Sequence, residues 1–266
     1  MEKKHRYKSV FFLSRVWSAP HRVLNTTYCK FFVTSRIVYL FIYICLLLHL
    51  VCTMSIAFKA RSKAPYFLLS NFYGGSEFTY MSMRTNNPNL RDLYASLRDN
   101  MDYETFKRYR EKLAQRKYYK EGYTDAYAKT YDGKQYYGFG ILAKLISACW
   151  KPNDNMKRRL KVVNEIAKER GLTGDIKQED FQQGDAKTNQ GYMKTALSIK
   201  FRSEPYKRVL LGTYPNKLYE RQGNRGKSPW AGEDGWLGKL LMEVRDELRY
   251  TTGLLGKRKR PVQLKF

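Results

Sequence analysis

Beyond residue 52 the chain has no histidine and a single cysteine with which to do chemistry. All three histidines (His5, His21 and His49) and three of the four cysteines (Cys29, Cys45 and Cys52) lie before that point, and only Cys149 follows it. Imidazole bases, histidine-containing triads and nearly every zinc pattern are therefore excluded from the main body, as is a disulfide framework. No metal or other cofactor is expected. A reaction there must use carboxylates, lysine, arginine or tyrosine, or Cys149 without an imidazole partner.

Two places concentrate such residues. Glu77 follows Gly74-Gly75-Ser76, at the join between the apolar run PYFLLSNFY (65–73) and the segment EFTYMSMR. A carboxylate at a strand end projects into the cleft that the strand opens, and Phe72, Tyr73, Phe78 and Tyr80 beside it would raise its pKa toward an acid/base value. On these residues alone a helix-capping or solvated glutamate is the plainer alternative. The second place is PWAGEDGWLG (229–238), with two tryptophans, two carboxylates and three glycines in ten residues. Asp234 is placed to cap the helix that follows. Trp230 offers a face on which a base could stack, and the glycines let backbone approach a ligand.

The elements that must position these residues are mostly helical. Asp102 reads as the cap of DYETFKRYREKLAQRK, with Tyr103, Phe106, Tyr109 and Leu113 on one face. ILAKLISACW (141–150) reads as a buried helix. Asp154 or Asn155 opens another, which Gly171 ends. Residues 185–202, 205–211 and 236–250 continue the helical pattern, while strands are expected only near 66–72 and 216–220. The tyrosine-rich stretch 117–140 reads as a long loop or lid whose rings and cations could meet bases and phosphates, or as an insertion whose tyrosines fold back onto the core. The cations of GKRKRP (256–261) suit a solvated tail, nuclear import or contact with DNA.

Residues 1–53 have a different composition. The 22 uncharged residues 37–58 would span about 33 Å as a helix at ~1.5 Å per residue, a transmembrane candidate behind a basic flank. The alternatives are a targeting peptide or upstream sequence read through to a start at Met54. The expected organisation is thus a basic, hydrophobic extension (1–53), a domain over 54–255 and a basic tail (256–266). Membrane association is expected only if the extension is genuine, and otherwise a cytoplasmic or nuclear protein. The whole chain has 266 residues, 50 Lys plus Arg against 24 Asp plus Glu, and a net charge of +26. Some polyanion, nucleic acid or anionic membrane, is the natural partner of such a charge.

The order LSNFY (69–73), Glu77 opening a helix, ILAKLI (141–146), KLYE (217–220), PWAGEDG (229–235) and LGKLLMEVRDEL (237–248) resembles the NADAR family, also called YbiA-like, over about residues 65–250. That resemblance implies a compact, mainly α-helical α+β domain with few short strands. It also implies an N-glycosidase that removes ADP-ribose from the guanine amino group in nucleic acid or nucleotides, or that cleaves phosphoribosylated riboflavin-pathway intermediates. The family glutamate matches Glu77, its late tryptophan Trp230, and its following acid Glu233 or Asp234. The resemblance thus implies Glu77 and Asp234 as catalytic carboxylates, and substrate contacts from Asn71, Phe72, Tyr73, Arg84, Trp230, Gly232 and Glu233. Where the family commonly has lysine, seven residues after the glutamate, this chain has Arg84, which forms no Schiff base, so Lys144 is the nearest amine to trap an opened ribose. Met81 stands in place of a family glutamine. A catalytically silent module that binds ADP-ribose or nucleic acid is the alternative these two replacements support.

Overall fold

The computed structural model describes residues 55–114, 125–150, 154–181, 184–222 and 228–253. Among these, eight α-helices surround one apolar core, with two small two-stranded sheets. The helices are α1 (Ser76–Met83), α2 (Pro88–Asp99), α3 (Tyr103–Leu113), α4 (Gly140–Ser147), α5 (Asp154–Glu169), α6 (Ala186–Lys200), α7 (Tyr206–Leu211) and α8 (Trp236–Thr251). The mainly helical α+β architecture is the one expected.

Local chemistry sets most boundaries. The Asn87 side chain accepts from the Leu90 amide and Pro88 opens α2, where a missing N–H costs nothing. Asp102 and Asp185 cap α3 and α6 in the same way, and α5 ends before Gly171 at φ 78°. By contrast, α1 packs against α2, α4 and α6 at once. Ser76 through Met81 are consequently all buried, and any polar group in that run must find its partners inside the protein.

Four expectations need correction. Residues 66–69 form a 3-10 turn rather than a strand. The end of the proposed membrane span, Ser55–Phe58, is strand β1, paired in parallel with β4 (Lys217–Glu220) and carrying the fully buried Phe58. No helix among the described residues is long and apolar enough to cross a membrane; residues 37–54 and the 256–261 tail lie outside the described residues. Within 117–140, residues 128–137 form an antiparallel hairpin, β2 (Ala128–Tyr131) and β3 (Lys134–Tyr137), turning at Asp132-Gly133 with φ 53° and 69°. Its tyrosines fold back: Tyr137 stacks on Tyr103 and on Phe139, with ring centroids 4.9 and 5.3 Å apart. Tyr118, Tyr119 and Tyr123 lie outside the described residues. Finally, the 141–150 helix ends at Ser147 and continues as a 3-10 turn through Trp150.

Candidate active site

Two glycines turn the chain sharply into α1. At Gly74 (φ 72°) and Gly75 (φ 76°) the backbone is left-handed, which glycine adopts without strain. The turn brings the Asn71 carbonyl over the start of the helix, where it accepts from the Glu77 amide (3.1 Å) and the Ser76 hydroxyl (2.9 Å). The Asn71 side-chain amide then donates to Oε2 of Glu77. Gly140, the first residue of α4, closes the opposite side. Its amide donates to the Phe72 carbonyl (3.0 Å), and a Cβ there would stand 2.9 Å from the Glu77 Cβ.

Glu77 is only 4% exposed. Burial pushes its carboxyl up from 4.5 to about 7, and the charge of Glu220 acts in the same direction; Lys144, Arg84 and the Asn71 hydrogen bond oppose both without prevailing. Glu220, the last residue of β4, is raised as well, again by burial, with Lys144 and Lys59 opposing. Two carboxyls thus share the field of one amine, Lys144. That residue stands on α4, its ammonium 5.4 Å from the Phe72 ring. Cys149 supplies no competing nucleophile: it is 1% exposed, and burial pushes its thiol up to about 12.

Aromatic rings line α1 beyond Glu77. Tyr80, Met81 and Arg84 follow at three-, four- and seven-residue spacing, on the same helix face. The Arg84 guanidinium lies 5.3 Å from the Tyr80 ring, and Tyr80 meets Trp230 edge-on at 5.9 Å. Trp230 in turn meets Trp236 at 5.2 Å. Trp230 is half-buried, so its ring is partly engaged by the protein itself. The buried Tyr94 phenol, on α2, feels the charges of both Arg84 and Glu77. Met81, Arg84, Tyr94, Trp150, Asp180 and Phe181 line a pocket of about 40 Å³, room for a few water molecules.

Of the residues expected at the site, Asn71, Phe72, Glu77, Arg84 and Lys144 come together, and Trp230 joins them through Tyr80. Gly232, at φ 98°, reaches the site through its backbone, since its amide donates to the Glu220 carbonyl at 2.7 Å. Tyr73 does not belong to it: the ring is fully buried and its hydroxyl donates to the Ala60 carbonyl at 2.9 Å. Glu233 is exposed. Asp234 neither caps α8, whose N-cap is Gly235, nor turns inward; its side chain is 92% exposed and lies 4.0 Å from Lys217. The second inward carboxylate is Glu220, which the reading of the sequence missed. The signal was there, because Leu218 and Glu220 lie two apart on a strand and share a face, and Leu218 is core.

The arrangement can hold a proton near neutral pH and release it, and can place negative charge opposite a developing cation. No family model, curated protein or solved structure matches the chain.

Proposed function

We propose that the chain hydrolyses N-glycosidic bonds, removing ADP-ribose from modified guanine in nucleic acid or nucleotides, with Glu77 as the reacting carboxylate. The observation that carries this reading is the state of Glu77, a carboxyl held by Asn71 in a buried site and raised to about 7 beside a second carboxyl and an amine. The substrate class rests on the resemblance of the LSNFY, KLYE and PWAGEDG blocks to the NADAR family.

Ribosyl transfer to water needs these groups. In its protonated form Glu77 donates to the departing base nitrogen as the C1′–N bond breaks, and the bonding pair leaves with the base. The sugar left behind carries positive charge that Glu77, now ionised, and Glu220 stabilise. Water adds to C1′ and gives its proton to one of these carboxylates, which completes the hydrolysis. The charge of Lys144 favours the ionised form of both carboxyls, and Arg84 is a cation for the diphosphate. Lys144 is also the amine through which an imine route would run, since Arg84 cannot form one. A riboflavin-pathway phosphoribosyl substrate would use the same groups.

The experiment is incubation of the full chain with an ADP-ribosylated guanosine oligonucleotide, with the products weighed by mass spectrometry. Free ADP-ribose and restored guanine are expected, and Glu77→Gln should lower the rate at least ~100-fold. Binding without any release would make the chain a silent module instead. A borohydride-trapped adduct on Lys144 would assign the imine route.

A further inference from the structure

Lys200 closes α6 inside the protein, where lysine is rarely found. It is 3% exposed. Its Nζ donates to the Ser70 carbonyl at 2.7 Å and lies 4.9 Å from the Phe201 ring and 5.0 Å from the Tyr206 ring. Among the described residues no carboxylate pairs with it, and burial alone holds its ammonium well below the ordinary lysine range. Whatever its protonation state, the amine donates a hydrogen bond. A methionine would fill the same space without the cost of burying a polar head, so the amine has to be explained by what it holds.

What it holds is the turn that carries Asn71. Ser70 is fully buried and its carbonyl accepts from Lys200 and, at 3.3 Å, from the Tyr73 amide. The next residue is Asn71, whose carbonyl starts α1 and whose side-chain amide bonds Glu77. The far arm of the turn rests on the same support. A Cβ at Gly74 would stand 3.2 Å from Lys200 Cγ and 2.9 Å from Tyr206 Cζ. Both ends of the Ser70–Gly74 segment therefore lie against Lys200 and its neighbour Tyr206.

We propose that Lys200 is a positioning residue for the Glu77 site: by fixing the Ser70 carbonyl, it seats the Asn71 amide on the Glu77 carboxylate. Its meaning for catalysis rests on the reading of Glu77 as the reacting group, whereas the coupling itself can be measured without substrate. The groups that face Glu77 are Asn71 from the turn, Arg84 and Tyr80 from its own helix, Tyr94 from α2, Lys144 from α4 and Glu220 from β4. Of these, Asn71 is the one that stands on the turn Lys200 holds. That bond favours the ionised carboxylate, so loosening it raises the pH at which Glu77 titrates.

The test is a carbon-13 titration of the Glu77 carboxyl in the full chain labelled at glutamate, with the signal assigned by its loss in Glu77→Gln. Asn71→Leu removes the bond and should raise the midpoint by about one pH unit, the equivalent of one hydrogen bond to a charged group. Lys200→Met should raise it in the same direction, and the double variant no further than Asn71→Leu alone. Lys200→Leu, which has no donor for the Ser70 carbonyl, serves if the methionine variant does not fold, and its midpoint should rise too. A midpoint unmoved in the Lys200 variants while Asn71→Leu shifts it, or shifts that simply add in the double variant, would overturn the proposal. Absence of turnover in the wild-type chain would overturn the proposed function and leave this titration standing.

Discussion

Replacing Glu77 with glutamine should make the protein more stable in alkaline solution while disabling it. In the folded chain the carboxyl titrates at about 7, against 4.5 when it is solvated. Between those values the folded state holds a proton that the unfolded state has lost, so unfolding releases it and stability falls as pH rises from about 4.5 through 7. Each pH unit of difference corresponds to ~1.36 kcal/mol, so the ionised carboxylate costs the wild-type fold about 3 kcal/mol above pH 8. Glutamine keeps an oxygen for the Asn71 amide and never ionises. The stability of Glu77→Gln minus that of the wild type should therefore grow by about 2.5 kcal/mol between pH 5 and pH 8.5, the rest of the difference having developed below pH 5. Groups that titrate alike in both proteins cancel from this difference, and the repulsion from Glu220 is already contained in the raised value for Glu77. Urea unfolding of the full chains, followed by tryptophan fluorescence with equal slopes in the two proteins, measures it. A difference constant across that range would mean that Glu77 titrates as a solvated carboxylate, and the acid/base role would fall with it.

Other substitutions probe the frame around the site. Gly140→Ala drives a Cβ to within 2.8 Å of the Phe72 Cα and 2.9 Å of the Glu77 Cβ; overpacking of this kind costs about 1–3 kcal/mol, which a lowered urea midpoint would show and an unchanged one would refute. Trp230→Ala should weaken base binding about ten- to a hundred-fold through lost stacking, with some loss of stability because the indole meets Tyr80 and Trp236; equilibrium binding and a thermal melt separate the two effects. Cys149, buried with its thiol pushed up to about 12, should react with iodoacetamide at pH 8 at least ~100-fold more slowly in the folded chain than in urea, as peptide mapping would report.

Where an element is specified by its neighbours in the chain, it was legible. Asp102 capping Tyr103–Leu113 and Gly171 ending α5 follow from side chains within a turn of the boundary. The pairing of Ser55–Phe58 with Lys217–Glu220 joins segments about 160 residues apart and has no local signature; its apolar residues merged with the uncharged run before them. Residues 66–69 show the ambiguity of a short apolar stretch, which suits a strand or a tight turn equally. The Asp132-Gly133 dipeptide did announce a hairpin, but the polar and tyrosine-rich strands around it hid the alternation. At the site, Glu77 was legible because it follows the Gly74-Gly75 turn, while Asn71 entered only through the resemblance of the LSNFY block. The second inward carboxylate, Glu220, was legible only through strand alternation with the apolar Leu218, a weaker signal than the cluster of carboxylates, tryptophans and glycines that drew attention to Asp234. The support from Lys200 spans 130 residues to Ser70 and is invisible without the fold.

The most direct test of the central claim is the single-turnover rate of ADP-ribose release from an ADP-ribosylated guanosine oligonucleotide, measured from pH 5 to pH 9. A buried Glu77 that must carry a proton to the leaving base gives a rate that falls as pH rises through about 7, and Glu77→Gln should lack that limb and stay at least ~100-fold slower throughout. Release that is independent of pH across this range, or equally fast in Glu77→Gln, would contradict the assignment of Glu77 as the reacting carboxylate.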